Sequence, residues 1–153
     1  MARRVICLST QTLAAISVDD HVPADAHFAL LLLYDARGVE VTTIGAVATR
    51  LIDAGLATFH AWGPDCERVH DIMDELIVAR DIRENREYPT IMTSWYPDCP
   101  IEEALFSLII SDTIDEAYAA TCDTTIIITV GNHDWEREVK RLLRVGIASN
   151  GSQ

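Results

Sequence analysis

The sequence predicts a three-layer α/β/α sandwich, Rossmann-like, on a mainly parallel sheet of about four or five strands. Three observations predict it. Short apolar runs alternate along the chain with longer stretches in which apolar residues recur every three or four positions. The runs lack the polar alternation of a strand with one wet face, so they read as strands covered on both faces. The segments between them are long enough for crossover connections, which join parallel strands and are overwhelmingly right-handed.

Phe28 to Tyr34 is the first such strand, ended by Asp35 and Gly38. Val41, Ile44, Val47, Ala48, Leu51 and Ile52 then mark a helix that Gly55 stops, because glycine takes the left-handed cap conformation without a Cβ clash. Leu56 to Trp62 is the second strand, punctuated by Gly63-Pro64, and Val69, Ile72, Met73, Leu76 and Ile77 mark a helix running to about Arg83. Thr90 to Trp95 is the third strand. Pro100 opens a helix with the apolar stripe Ile101, Ala104, Leu105, Leu108 and Ile109, since proline's missing N–H is no loss at a helix start. Thr124 to Val130, rich in β-branched residues, is the fourth strand. Gly131-Asn132 leads into a helix carrying Trp135, Val139, Leu142 and Leu143 before Gly146. Residues 1–26 stay unassigned: Val5 to Leu8 reads as an edge strand, and Leu13 to Val18 as its extension or a helical turn. Ile114 to Asp123 extends the third crossover, and 149–153 reads as a disordered polar tail.

The 153 residues, 49% hydrophobic and 24% charged, suit one globular domain, taken here as 1–148. Twelve Lys and Arg against 24 Asp and Glu give a net charge of −12, which repels phosphate backbones and anionic lipid, so nucleic acid and membrane are not expected partners. No apolar run approaches the ~20 residues of a membrane-spanning helix. Arg3 and Arg4 before an apolar stretch, with Ala24-Asp25-Ala26 beyond, resemble an export signal, but polar Ser9 to Thr12 and Asp19-Asp20-His21 break it. The expected location is cytoplasmic. Cys7, Cys66, Cys99 and Cys122 have no close pair and read as reduced thiols, with a disulfide left open for Cys66 and Cys99 alone.

Ligands of open parallel sheets bind beyond the carboxyl ends of the strands, where helix amino termini point inward. Trp62, Asp65 and Cys66 follow the second predicted strand, Trp95, Asp98 and Cys99 the third, and Asn132, His133, Asp134 and Trp135 the fourth. All three tryptophans thus fall at one edge, and Pro-Asp-Cys occurs twice, at Pro64 to Cys66 and Pro97 to Cys99. Trp62, Asp65, Trp95, Asp98, Asn132 and Trp135 are the candidate ligand-binding residues. The plainer reading makes each Asp a helix cap and each Trp a cover for a sheet end.

Cys66, His70 and His133 are the catalytic candidates. A cysteine in the first turn of a helix meets unpaired amides and the positive dipole end, which lower a thiol pKa, and a histidine one turn on supplies a base. Flanking Asp65, Glu67 and Asp98 act in the opposite direction, and helical phasing puts Cys66 on the core stripe of Val69 and Met73. Cys66, His70, Cys99 and His133 also make a two-sulfur, two-nitrogen set for a divalent metal such as zinc, although without the close-spaced pairs of sequence-evident zinc sites.

Gly131-Asn132-His133-Asp134, directly after a strand, resembles the Gly-Asn-His-Asp/Glu turn of calcineurin-like metallophosphoesterases. The resemblance implies Asn132 as a metal ligand and His133 as a phosphate-contacting acid. The rest of that pattern is missing: Asp19-Asp20-His21 precedes the first assigned strand, no Gly-Asp occurs, and no histidine follows His133. The alternative is Asn132 as the cap of the last helix. No Gly-rich phosphate loop and no Gly-x-Ser-x-Gly elbow is present.

The residues therefore leave two functional classes open, with catalysis undecided. One is a domain binding a small ligand, or holding a metal or reactive thiol, at the strand ends. The other is an interaction module for a basic partner, similar in composition to immunity proteins, since acidity accelerates such encounters. A concave pocket lined by the tryptophans favours the first and a flat aromatic patch the second.

Overall fold

The apolar runs become the strands of one sheet. The computed structural model describes residues 3–146 and contains β1 (Arg4–Thr10), β2 (His27–Leu33), β3 (Leu56–Trp62), β4 (Met92–Tyr96) and β5 (Cys122–Val130). Between them lie α1 (Val41–Asp53), α2 (Cys66–Arg83) and α3 (Ile101–Ile109), and α4 (His133–Val145) follows β5. All pairings are parallel, in the order β1-β5-β2-β3-β4. The expected α/β sandwich is thus the fold found, with five strands. The predicted tail at 149–153 lies outside the described residues.

The central strands explain the patterning. β2 has a strand on each side and helices above and below, and Phe28 to Leu33 are all 4% exposed or less. Ile126, Ile127 and Ile128 of β5 are equally sealed. Strands buried on both faces need no polar alternation, which is why these segments read as unbroken apolar runs. Apolar stripes of the helices close the two outer layers: Ile44, Val47, Ala48 and Leu51 on α1, and Ala104, Leu105 and Leu108 on α3. Gly55 has φ +108°, and a Cβ there would stand 2.4 Å from the Ala26 carbonyl oxygen, so only glycine lets this turn close against β2.

The unassigned amino-terminal stretch proves to be part of the domain. β1 pairs with β5 along its whole length as an edge strand. A single 3-10 turn, Leu13–Ala15, follows and packs against α1, where Arg50 donates to the carbonyls of Ile16 (2.8 Å) and Ala14 (3.2 Å). β4 is displaced from the predicted Thr90–Trp95. The Thr90 N–H donates to the Asp115 carboxylate (2.9 Å) rather than to a strand, and pairing with β3 continues through Tyr96.

Connection geometry sets where a site can form. α1 and α2 pack together on one face of the sheet, while α3 and α4 contact each other on the other. β3 therefore exits toward α2 and its neighbour β4 toward α3, so two adjacent strands send their chains to opposite faces. A crevice opens at such a divergence.

Candidate functional site

A cleft of about 770 Å³ occupies that divergence. Its walls come from the loop after β3 (Trp62 to Glu67), the loop after β4 (Tyr96 to Pro100), Trp135 of α4 and Arg37. It is larger than the 390 Å³ and 260 Å³ hollows beside the carboxyl end of α1.

Both loops reach the cleft by the same turn. Asp65 has φ +63° and Asp98 φ +52°, a left-handed conformation that Asp tolerates better than most side chains. Each turn delivers a cysteine: Cys66 begins α2 and is 2% exposed, and Cys99 stands just before α3. Gly63, at φ +124°, allows the first loop to pass the β2 end, since a Cβ there would lie 2.3 Å from the Tyr34 carbonyl oxygen. Trp62 spans the two loops. Its indole N–H donates to the Cys99 carbonyl at 2.8 Å, and its ring meets Trp135 edge to face with centroids 5.0 Å apart.

The thiols are free and protonated. Burial is the main cause that pushes the Cys66 thiol up, outweighing the backbone N–H groups of Tyr96, Cys66 and Gly63 that favour the thiolate; the Asp98 charge adds to the rise. Burial is also the largest cause for Cys99, which is pushed up to about 11, followed by the hydrogen bond and charge of Glu103 and by Cys66 itself. The expected helix-dipole activation of Cys66 is therefore corrected: burial outweighs it. No disulfide joins the pair.

Charge in the cleft is uneven. Arg37 is paired with Asp35 at 2.6 Å, and Asp65 accepts from Arg68 at 2.8 Å. Arg68 also donates to the Ala36 carbonyl, fixing it beside the first loop. Glu67 and Asp98 are exposed and have no ion-pair partner among the described residues.

The structure gathers Trp62, Asp65, Cys66, Asp98, Cys99 and Trp135, and separates the other candidates. Trp95 is not a cleft residue. Trp95 stands opposite Ala61 in the ladder and points to the α2 face, lying on the His70 ring with centroids 4.3 Å apart, while Tyr96, opposite Trp62 and one residue on, takes the place on the cleft wall. His70 is buried between α2 and β4, with Nδ1 3.0 Å from Asp71 and Nε2 3.0 Å from Thr93 Oγ1. It thus faces β4 rather than the thiols. His133 is exposed beside Glu136 at 3.5 Å, and Asn132 caps α4 by accepting the Trp135 N–H at 3.0 Å. The four-residue zinc set does not converge, and among the described residues no group of three or more His, Cys, Asp or Glu is placed to hold a metal. The Asn132 and His133 roles implied by the phosphoesterase resemblance find no such group to join.

One feature escaped sequence reasoning. His60 of β3 is buried, with Nε2 3.0 Å from Asp112 Oδ1 and Nδ1 2.8 Å from the Tyr96 hydroxyl. Arg3 donates to the other Asp112 oxygen at 3.0 Å. This chain braces Tyr96 beneath the cleft. A histidine inside the apolar run Leu56 to Trp62 was its only sequence signal.

A family model described as a domain of unknown function (DUF7684) matches residues 4–145, and the chain belongs to that family. No curated protein and no solved structure matches it.

Proposed function

We propose that this DUF7684 chain binds a small ligand with a cationic group in the cleft between the β3 and β4 loops. The observation that carries the reading is the Trp62–Trp135 pair on the wall of a 770 Å³ concavity. That volume is within the roughly 300–1,000 Å³ of small-molecule sites, and such sites favour strand-end divergences. Aromatic faces attract cations through their quadrupole, and the carboxylates of Glu67 and Asp98, without an ion-pair partner among the described residues, supply the matching charge. Neutral thiols at Cys66 and Cys99 line the cleft without adding charge or a nucleophile at neutral pH, so recognition is favoured over thiol catalysis.

Choline, spermidine and arginine amide serve as cationic probes and inorganic phosphate as the anionic control, with the indole N–H resonances of Trp62 and Trp135 as reporters. Saturable shifts with a cation, weakened by Trp135→Ala and by Asp98→Asn, support the reading. Phosphate shifting these resonances while every cation leaves them unmoved would refute it.

A further inference from the structure

We infer that the free edge of β4 is a docking site for an extended segment of a partner protein in which basic and apolar residues alternate. Among the described residues β4 is the last strand of the sheet and pairs only with β3, so one side of its backbone offers hydrogen-bonding groups that no described strand uses. Natural edge strands are usually blunted by charge, proline or a bulge. Met92–Tyr96 reads MTSWY, with no charge and no proline, and its register with β3 is unbroken. This edge lacks those protections, and a strand can add to it by main-chain hydrogen bonding.

The two faces beside the edge differ, and the difference specifies the partner. Thr93 and Trp95 point toward α2. Trp95 is 39% exposed, and beside it are Asp71 and Asp74, whose side chains are 62% and 46% exposed. The Thr93 hydroxyl donates to Asp74 at 2.6 Å, and His70, bracketed by both carboxylates, lies against the Trp95 ring. Lysine or arginine side chains on this face of an added strand meet two carboxylates and an aromatic ring. Met92, 43% exposed, points to the opposite face by the period-two alternation of the strand, in line with Ser94 and Tyr96. Apolar side chains suit that face. The partner strand is therefore basic on one side and apolar on the other.

Charge also disfavours the obvious competitor. A second copy paired antiparallel through β4 would bring its own Asp71 and Asp74 against those of the first, in an assembly of two chains each carrying −12. Like charges placed together oppose association, whereas a basic segment is drawn in.

The probe is a ten-residue peptide alternating lysine and valine, with a glutamate–valine peptide as control, added to the isotope-labelled full chain. Binding is expected to slow amide exchange across Met92–Tyr96 and to weaken as salt rises. Asp71→Lys and Trp95→Lys should each weaken it by about tenfold or more, which corresponds to about 1.4 kcal/mol. Met92→Lys replaces Trp95→Lys should the latter lose its native circular dichroism. Trp135→Ala, in the cleft, should leave peptide binding intact, so failure here and failure of the cleft reading are separable. The inference is overturned if β4 gains no protection, if the glutamate peptide binds equally, or if shifts are confined to Trp62 and Trp135. A dimer by light scattering that Trp95→Lys splits would also overturn it, giving the edge to a second copy.

Discussion

Asp112→Ala should be among the most damaging substitutions far from the cleft surface. The Asp112 side chain is 4% exposed and meets Arg3 at 3.0 Å, His60 at 3.0 Å and the Thr58 hydroxyl at 3.3 Å. Removing it leaves the His60 Nε2 group, 5% exposed, without its carboxylate, and strands the Arg3 guanidinium, which at 19% exposed recovers only part of its hydration. Breaking a buried charged pair from one side costs about 3–5 kcal/mol, and partial rehydration of Arg3 places this case near the lower end, about 3 kcal/mol. For a domain of this size that corresponds to a fall in Tm of about 6–12 °C. Asp112→Asn keeps an acceptor for His60 but loses the charge facing Arg3, and should cost about half as much. Urea unfolding followed by tryptophan fluorescence gives the free energies. A double-mutant cycle with His60→Asn isolates the coupling, expected at about 1 kcal/mol or more because the groups share one network. A loss below about 1 kcal/mol for Asp112→Ala, with additive cycle energies, would refute the idea that this network holds Tyr96 in place.

Other predictions concern the cleft. Gly63→Ala forces a Cβ to within 2.3 Å of the Tyr34 carbonyl at φ +124°, and should destabilise by about 3 kcal/mol or more in a thermal melt. Asp98→Gly relieves a left-handed non-glycine residue whose side chain makes no hydrogen bond among the described residues; it should stabilise the fold by up to about 1 kcal/mol while weakening cation binding. Cys99, whose thiol is held up to about 11 in the folded state, ionises first in the unfolded chain. Stability is then level below about pH 9 and falls between about 9 and 11, because the unfolded state binds fewer protons there. Denaturation midpoints across that range, together with slow iodoacetamide labelling of native Cys66 and Cys99 at pH 7.5, check this. Rapid labelling of either thiol would contradict it.

The legible parts of the fold were those written in local pattern. β3 falls on Leu56–Trp62 as its apolar run predicts, and α1 begins at Val41 and ends before Gly55, because burial on both faces and a left-handed cap leave unambiguous traces. β1 was less legible since its exposed, partly polar residues follow neither template; its position next to β5 is a long-range fact. The gathering of Trp62, Cys66, Cys99 and Trp135 was readable because all follow strand ends in a parallel sheet. Trp95 and His70 were misplaced for a geometrical reason. Trp95 is the penultimate residue of β4 rather than the start of the loop, and the strand's period of two sets it on the α2 side, where His70 also lies, while Tyr96 takes the cleft side. The Arg3–Asp112–His60–Tyr96 chain joins four distant segments, so no spacing along the sequence announces it.

The repeated Pro-Asp-Cys tripeptide finds its account in the turn rather than in thiol chemistry. In both copies the Asp is left-handed and the Cys that follows is carried toward the cleft, once leading into α2 on one face and once into α3 on the other. Two strands diverging to opposite faces need a similar reversal, and the same three residues provide it on each side of the crevice. Carrying a charge at Asp98 where glycine fits the backbone better costs stability, and among the described residues no hydrogen bond or ion pair uses the carboxylate. Strain kept at a cleft wall without a structural partner is the pattern expected when a side chain serves a ligand. Asp65 provides the contrast, since its carboxylate is held by Arg68 and has a structural use. Cation binding should therefore depend more on Asp98 than on Asp65, and equal losses from Asp98→Asn and Asp65→Asn would assign both carboxylates to the turns alone.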